Sequence, residues 1–301
     1  MKIMKQFFLN NRRWIGYALY CVALTLALLY YKFPSDAVRD YIQATVQRIN
    51  PNILVTYERM SLSFPFSFRF EKAEIHLQND PEKDFFKTKE IIIMPKIWSI
   101  IRGRPEYCLV CAAYDGNITG CIDFKKDDYG TICNSSFKLN DIHIDDNYPL
   151  PSGIKGRLDG LLEGSLNYSG RDTYDPDGTG EASINLLNGS FRLSKPVLEV
   201  EAIDFKEVSI KMTLKDKKLN ISNAELKGDG ILGQASGSII LRDSIQKSRL
   251  NIKGTFEPTA TLFKGSKNPE DAVLLLKKLL KNGKMPFTLQ GTVDKPSFRL
   301  V

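Results

Sequence analysis

Phe66-Ser67-Phe68-Arg69-Phe70-Glu71-Lys72-Ala73-Glu74-Ile75-His76-Leu77-Gln78 decides the fold. Phe66, Phe68 and Phe70 alternate with Ser67, Arg69 and Glu71; Ala73, Ile75 and Leu77 then alternate with Glu74, His76 and Gln78. A period of two sends successive side chains to opposite faces, the pattern of a half-buried strand. Working outward, strand-like runs recur at 90–94, 107–114, 118–124, 131–139, 157–168, 181–187, 197–205, 208–214, 219–226, 235–242, 249–256, 287–293 and 298–301. Asp115-Gly116-Asn117, Tyr129-Gly130 and Asn188-Gly189 read as the turns between them. The expectation is a mainly β protein, an elongated, curled antiparallel sheet with a few short helices.

Upstream the period changes. Pro34-Ser35-Asp36 opens a helix with Ser35 as its cap, and Val38, Tyr41, Ile42, Thr45, Val46 and Ile49 give it one apolar face before Asn50-Pro51 ends it. Before that helix, residues 14–31 carry no charge. Eighteen helical residues reach about 27 Å, close to the roughly 30 Å hydrocarbon thickness of a bilayer. Trp14, Tyr17, Tyr30 and Tyr31 stand near the ends of the run, with Leu24 and Leu28 inside it. Lys2, Lys5, Arg12 and Arg13 all precede it, which orients the amino terminus to the cytoplasm and sends the remainder across the membrane. A cleaved signal peptide is the rival, but the run is longer than an h-region and Tyr30-Tyr31-Lys32-Phe33-Pro34 offers no small-residue cleavage site. The expected organisation is a basic tail (1–13), an anchor (14–33), an amphipathic helix (34–50) and two parts of one β domain, 51–148 and 149–301. The seam falls at the polar stretch Asp145-Asp146-Asn147-Tyr148-Pro149. A late helix is expected from Pro269-Glu270-Asp271 to Asn282-Gly283.

The net charge of +7 owes four of its positive charges to the first thirteen residues, which contain no acid. The remainder is only weakly basic, so a nucleic-acid partner is discounted. Enzyme chemistry finds little purchase. The two histidines, His76 and His143, both lie in alternating strand patterns, and no phosphate loop, nucleophile elbow or His-x-x-x-His pair is present in the sequence. No catalytic residue, metal or cofactor is assigned.

Four of the five cysteines cluster at Cys108, Cys111, Cys121 and Cys133. Cys108 and Cys111 are three strand residues apart, roughly 10 Å, too far for a disulfide, and face opposite ways. A three-residue loop at 115–117 places Cys111 opposite Cys121, and a three-residue loop at 126–128 places Cys133 opposite Cys121. At most one cross-strand disulfide is therefore expected, Cys111–Cys121 ahead of Cys121–Cys133; the alternative is a set of small buried thiols. Gly156, Gly160 and Gly164 share a strand face and suggest sharp curvature. Some strands are apolar on both faces, and Ile92, Val110, Leu161 and Ile239 are candidates for lining an apolar groove.

Phe33-Pro34-Ser35-Asp36 leading to Arg39-Asp40-Tyr41-Ile42 resembles the opening of the N component of the bacterial type II secretion system, general secretion pathway protein N. Trp98-Ser99-Ile100-Ile101-Arg102-Gly103-Arg104-Pro105, Gly228-x-Gly230 with Ala235-Ser236-Gly237-Ser238-Ile239, and Leu289-Gln290-Gly291-Thr292-Val293 through Leu300 are similar to later parts of that family, in the same order. The cysteine cluster departs from it. The family in turn resembles AsmA-type periplasmic proteins, with curled sheets and an apolar interior. The resemblance implies a non-enzymatic, single-pass inner-membrane component of the secretion machinery with a periplasmic β domain, whose partners are other envelope subunits. The alternative function is lipid binding or transfer in the cell envelope, with phospholipid as the partner.

Overall fold

The structure, a computed structural model, describes residues 12–31, 35–49, 53–63, 66–77, 80–128, 130–145, 156–171, 177–197, 200–242, 244–263, 280 and 283–301. Two helices come first, α1 (Arg12–Tyr31) and α2 (Ser35–Ile49). Strands follow as β1 (Ile53–Thr56), β2 (Arg59–Ser63), β3 (Ser67–Glu71), β4 (Glu74–Leu77), β5 (Asp80–Lys87) and β6 (Glu90–Pro95). A five-residue helix, α3 (Ile97–Ile101), leads into β7 (Glu106–Ala113), β8 (Gly116–Asp127), β9 (Gly130–Ile144), β10 (Gly156–Gly170) and β11 (Thr179–Val197). The chain continues through β12 (Val200–Lys215), β13 (Lys218–Lys227), β14 (Ile231–Ile240), β15 (Arg249–Pro258), β16 (Met285–Thr292) and β17 (Pro296–Leu300).

Fourteen of these strands form one antiparallel sheet in the order β17-β16-β15-β14-β13-β12-β11-β10-β9-β8-β7-β6-β3-β2. From β6 onward the spatial order is the chain order, the meander that short turns and period-two strands favour. A second, three-stranded sheet, β1-β4-β5, branches off at one end. It continues the β2–β3 hairpin: Ile53 pairs with Leu77 and Arg59 with Glu71 in one register, with the break at Lys72, whose φ is 49°.

The mainly β expectation therefore holds, and one sheet runs through both expected halves of the β domain. Residues 146–155, where the seam was placed, and residues 264–279, most of the expected late helix, lie outside the described residues. The helix at 34–50 is present as α2. Its Val38 and Ile42 pack on the buried cluster of Met60, Phe70 and Ala73. Helix α1 also forms, but the transmembrane assignment gains no support: among the described residues no helix is long and apolar enough to cross a membrane. Lys2, Lys5 and the side chains of Arg12 and Tyr30 lie outside the described residues.

Two strand boundaries differ from the sequence reading for one physical reason. Asn188-Gly189 is no hairpin turn; it lies inside the 19-residue strand β11. Opposite it, the runs at 197–205 and 208–214 are one strand, β12. The β10–β11 register shifts between Asp159 and Leu161, Asn188 has φ 48°, and the extra residues form a β-bulge. Gly189 is required there, since a Cβ would stand 2.1 Å from the Asp159 carbonyl oxygen and 2.7 Å from the Phe205 ring. The Asp159 carboxylate accepts hydrogen bonds from the Ser190 N–H (2.7 Å) and hydroxyl (3.1 Å), so the bulge is held by a side chain. The bulge exchanges odd and even positions, which keeps Phe191 and Phe205 on the same face as Leu186 and Val208. In sequence, that slip of phase looks like the end of a strand.

Candidate functional site

Following direct cross-strand partners across the large sheet gives its two faces. One row begins Met60, Phe70, Ile91, Cys111, Ile118, Leu139, Gly164. It continues Ile184, Ile210, Ala224, Ala235, Gly254, Phe287, Leu300. Every one of its fourteen positions, one per strand, is apolar or glycine. The adjacent row on the same face, from Leu62 and Phe68 through Leu109, Phe137 and Leu166 to Leu289 and Phe298, is likewise apolar or glycine throughout. On its other side a shorter row runs Ile142, Leu162, Leu186, Val208, Leu226, Gly233, Phe256, Met285.

The opposite face is different in kind. There Cys121 is followed across the strands by Ser136, Asn167, Glu181, Thr213, Asn220 and Ser238. The sheet is thus amphipathic as a whole, although no single strand shows it over more than a few residues. With strands about 4.8 Å apart, the apolar face is about 60 Å long, and three rows make it roughly 15 Å wide.

Cover is uneven. At one end α2 lies on β2 and β3, leaving Met60 8% and Phe70 7% exposed. Near the other, Leu262 from the turn Ala260–Phe263 shares a cluster with Ile203 and Met285. Between these ends Ile118, Leu139, Ile184 and Ile210 are only half-buried and Leu166 is exposed, while Ile142 and Leu186 of the third row are buried. Aromatic rings fill the space above glycines within the rows: Phe287 lies over Gly254 and stacks on Phe256 with centroids 4.4 Å apart.

Of the four groove candidates, only Ile239 stands on this face, paired with Leu219 and Leu250. Ile92 and Val110 pair with each other in a row that also holds Arg69, Thr119 and Lys138, so they belong to the polar face. Leu161 pairs with His143 and Leu187 and faces the same way. A run that is apolar on both sides does not say which side is the lining; the alternation of its neighbours does. Phe137, Leu166 and Ile184 could have been found from that alternation.

The disulfide also differs from expectation. Cys121 is bonded to Cys108, with Cα atoms 4.0 Å apart, while Cys111 and Cys133 are buried free thiols. The β7–β8 turn has two residues, Tyr114 and Asp115, at φ 54° and 58°, where a three-residue loop at 115–117 was expected. Two left-handed residues make the turn type that matches strand twist, and the shorter loop moves Cys111 opposite Ile118. Asp127 pairs with Gly130, so the next turn is two residues as well, and Cys133 meets Phe124. The Cys111 thiol donates to the Thr88 hydroxyl (3.2 Å), and burial pushes its pKa up. It is a packed side chain of the apolar row, with little thiolate to react.

The polar face carries an open depression of about 780 Å³ bordered by Glu106, Asp123, Asn134, Asn167, Ser169 and Glu181. Asn134 donates to Asp123 (2.9 Å) and Ser169 to Asn134 (2.8 Å), which spends these groups on one another. Glu106, Cys108 and Cys121 are close enough to resemble a metal site, but both sulfurs are in the disulfide and Lys96 pairs with Glu106. His76 on β4 contacts Glu74 of the same strand and Thr56 of β1, and His143 lies on β9. The arrangement with an evident physical consequence is the long apolar face. No family model, curated protein or solved structure matches the chain.

Proposed function

We propose that this chain is a non-enzymatic envelope protein that shelters the acyl chains of phospholipids on the apolar face of its large sheet. The observation carrying this reading is the pair of unbroken apolar rows across fourteen strands. A face about 60 Å long is four times the roughly 15 Å depth of one bilayer leaflet, so it accommodates several acyl chains end to end. Leaving such a face to water costs about 25 cal/mol for each Å² that an apolar ligand would cover. The curled, groove-like form of the sheet belongs to this proposal, and bulges such as the one at Asn188 supply the added twist it needs.

The same reading places α1 in the bacterial inner membrane as a single-pass anchor, with the amino terminus in the cytoplasm and the β domain in the periplasm. It rests on the uncharged run 14–31 after four basic residues and on the exposure of every described side chain from Arg13 to Tyr31. The test is lipid extraction and mass spectrometry of the full chain purified in mild detergent. Phospholipid is expected at more than one molecule per chain. The double variant Leu166→Glu/Ile184→Glu is expected to lose it, while Ser183→Glu on the other face keeps it. A lipid-free wild-type protein refutes the reading.

A second reading, as accessory subunit of the type II secretion machinery, follows from the resemblance and is favoured by the sheet edges. Strand β17 pairs on one side only, and its Phe298 and Leu300 are exposed, so its outer edge can accept a strand from another envelope subunit. Undiminished exoprotein secretion after deletion of the gene would count against it.

A further inference from the structure

The connection between β6 and β7 has no role in forming the sheet, yet it is built rigidly. Lys96 N–H donates to the Glu106 carbonyl (2.8 Å) and closes its base. Helix α3 ends in a Schellman motif: Gly103 N–H donates to Ile100 O (2.9 Å) and Arg104 N–H to Ser99 O (2.9 Å). Gly103 takes the left-handed position at φ 73°, which the motif reserves for glycine. Phe124 N–H then bonds the Pro105 carbonyl (2.9 Å), tying the loop to β8.

What this loop presents to solvent is apolar. Trp98 is 74% and Ile101 68% exposed, and Ile97 and Ile100 are exposed beside them. Phe66 at the β2–β3 turn and Met94 at the end of β6 are exposed at the same end of the strands, since Phe68 pairs with Ile93 and Pro95 with Tyr107. Two further cations flank the tip. Arg102 and Arg104 are exposed and have no ion-pair or hydrogen-bond partner for their side chains among the described residues. Lys96 is already neutralised by Glu106. In the neighbouring turn Lys125 and Lys126 are offset by Asp127 and Asp128, so the tip's charge is that of its two arginines.

We infer that this tip docks into the interfacial zone of a bilayer carrying anionic phospholipid, with Trp98 and Ile101 immersed and Arg102 and Arg104 on the headgroup phosphates. A protruding tip with apolar crown and unpaired arginines fits a deformable, anionic, amphipathic surface better than a preformed protein pocket. Indole favours the level of the headgroups, and each arginine near such a surface is worth about fivefold in binding. The inference stands independently of what the sheet's apolar face holds, and of whether α1 crosses the membrane.

The chain has two tryptophans, so Trp14→Phe leaves Trp98 as the sole indole. That full-length variant is reconstituted with vesicles of phosphatidylcholine, with and without phosphatidylglycerol, and its emission is followed with brominated lipid or iodide as quencher. The expected result is a blue shift, quenching by brominated lipid and protection from iodide, all requiring phosphatidylglycerol. Arg102→Gln/Arg104→Gln should lower the ratio of docked to free tip roughly twenty-five-fold, about fivefold for each arginine removed. Both side chains are exposed, so the fold should survive, and an unchanged far-ultraviolet circular dichroism spectrum checks this. Three outcomes overturn the inference: water-like, iodide-quenched emission; a blue shift without brominated-lipid quenching, which is burial against protein or a second copy; and equal immersion without anionic lipid. Loss of bound phospholipid in the Leu166→Glu/Ile184→Glu variant reports on the sheet face alone, so the two readings fail separately.

Discussion

Phe70 and Ile184 occupy the same row of the same sheet, but only one of them is covered. Over β2, β3 and β6, helix α2 supplies Val38 and Ile42, and the cluster around Met60 and Phe70 closes as a conventional core. Over β8 to β12, the same row offers Ile118, Leu139, Ile184 and Ile210, each only half-buried. The two regions are held together by different means. The covered end relies on packing between layers. In the open stretch backbone ladders, the Cys108–Cys121 disulfide and the Asp159 clamp on the bulge do that work from within the sheet. A sheet so built stays folded while leaving one face available, which is what a lipid-sheltering surface requires.

Truncation should separate the two regions most sharply. Phe70→Ala removes a ring buried under α2 and is expected to cost about 3–5 kcal/mol. Ile184→Ala, in the same row but half-buried, should cost about 1 kcal/mol in delipidated protein, since only part of its transfer energy is realised. Denaturant unfolding of the two variants measures both, and equal losses would mean that the middle of the face is covered after all. Next in size is the disulfide, which closes a loop of sequence separation 13 and should contribute about 3 kcal/mol. Cys108→Ser/Cys121→Ser tests it by the same measurement. Alkylation without reduction should label Cys111 and Cys133 only after unfolding. Labelling of Cys108 in unreduced, unfolded protein would break the assignment. Asp159→Ala leaves the Ser190 N–H without its acceptor at the bulge and should cost about 1–3 kcal/mol, mostly in the open stretch.

What the sequence showed of this division depends on range. The alternation of Phe66, Phe68 and Phe70 with polar neighbours is a local property, and it marks the strand correctly. The amphipathic helix at 34–50 was legible for the same reason, and its apolar face meets the row it covers. Register is not local. It turns on whether Tyr114 accepts a left-handed conformation, which a tyrosine side chain does not announce, and a three-position error there moves Cys121 from Cys108 to Cys111. The bulge hides in the same way, because Asn188-Gly189 has the chemistry of a hairpin turn and the phase slip of a strand end. The apolar face was invisible strand by strand: Ile92 and Val110 are as apolar as Ile118, and only their row neighbours Arg69, Thr119 and Lys138 show that they look the other way. The tip at Trp98 was readable as a connection, but its exposure is a tertiary fact.

The smallest predicted effect concerns the branch sheet behind the covered end. Glu74 on β4 lies 2.6 Å from the Lys87 ammonium and 3.5 Å from His76, and the Lys87 hydrogen bond, ahead of its charge, holds the Glu74 carboxyl below its usual value of 4.5. A carboxyl with a depressed folded-state pKa stabilises the fold above its unfolded value and loses that contribution as pH falls through the folded one. The stabilisation is thus complete above about pH 4.5 and fades below it. Lys87 is more than half exposed, so solvent screening limits the pair to under about 1 kcal/mol. Lys87→Met should therefore lower the midpoint of unfolding slightly at pH 7, and the difference from wild type should shrink as the pH falls below 4.5. Melting of both proteins across pH 3 to 7 measures it. Because β1 and β4 continue the hairpin that α2 covers, a loss larger than a surface pair can supply would show that the branch sheet, and not α2 alone, holds the covered end closed.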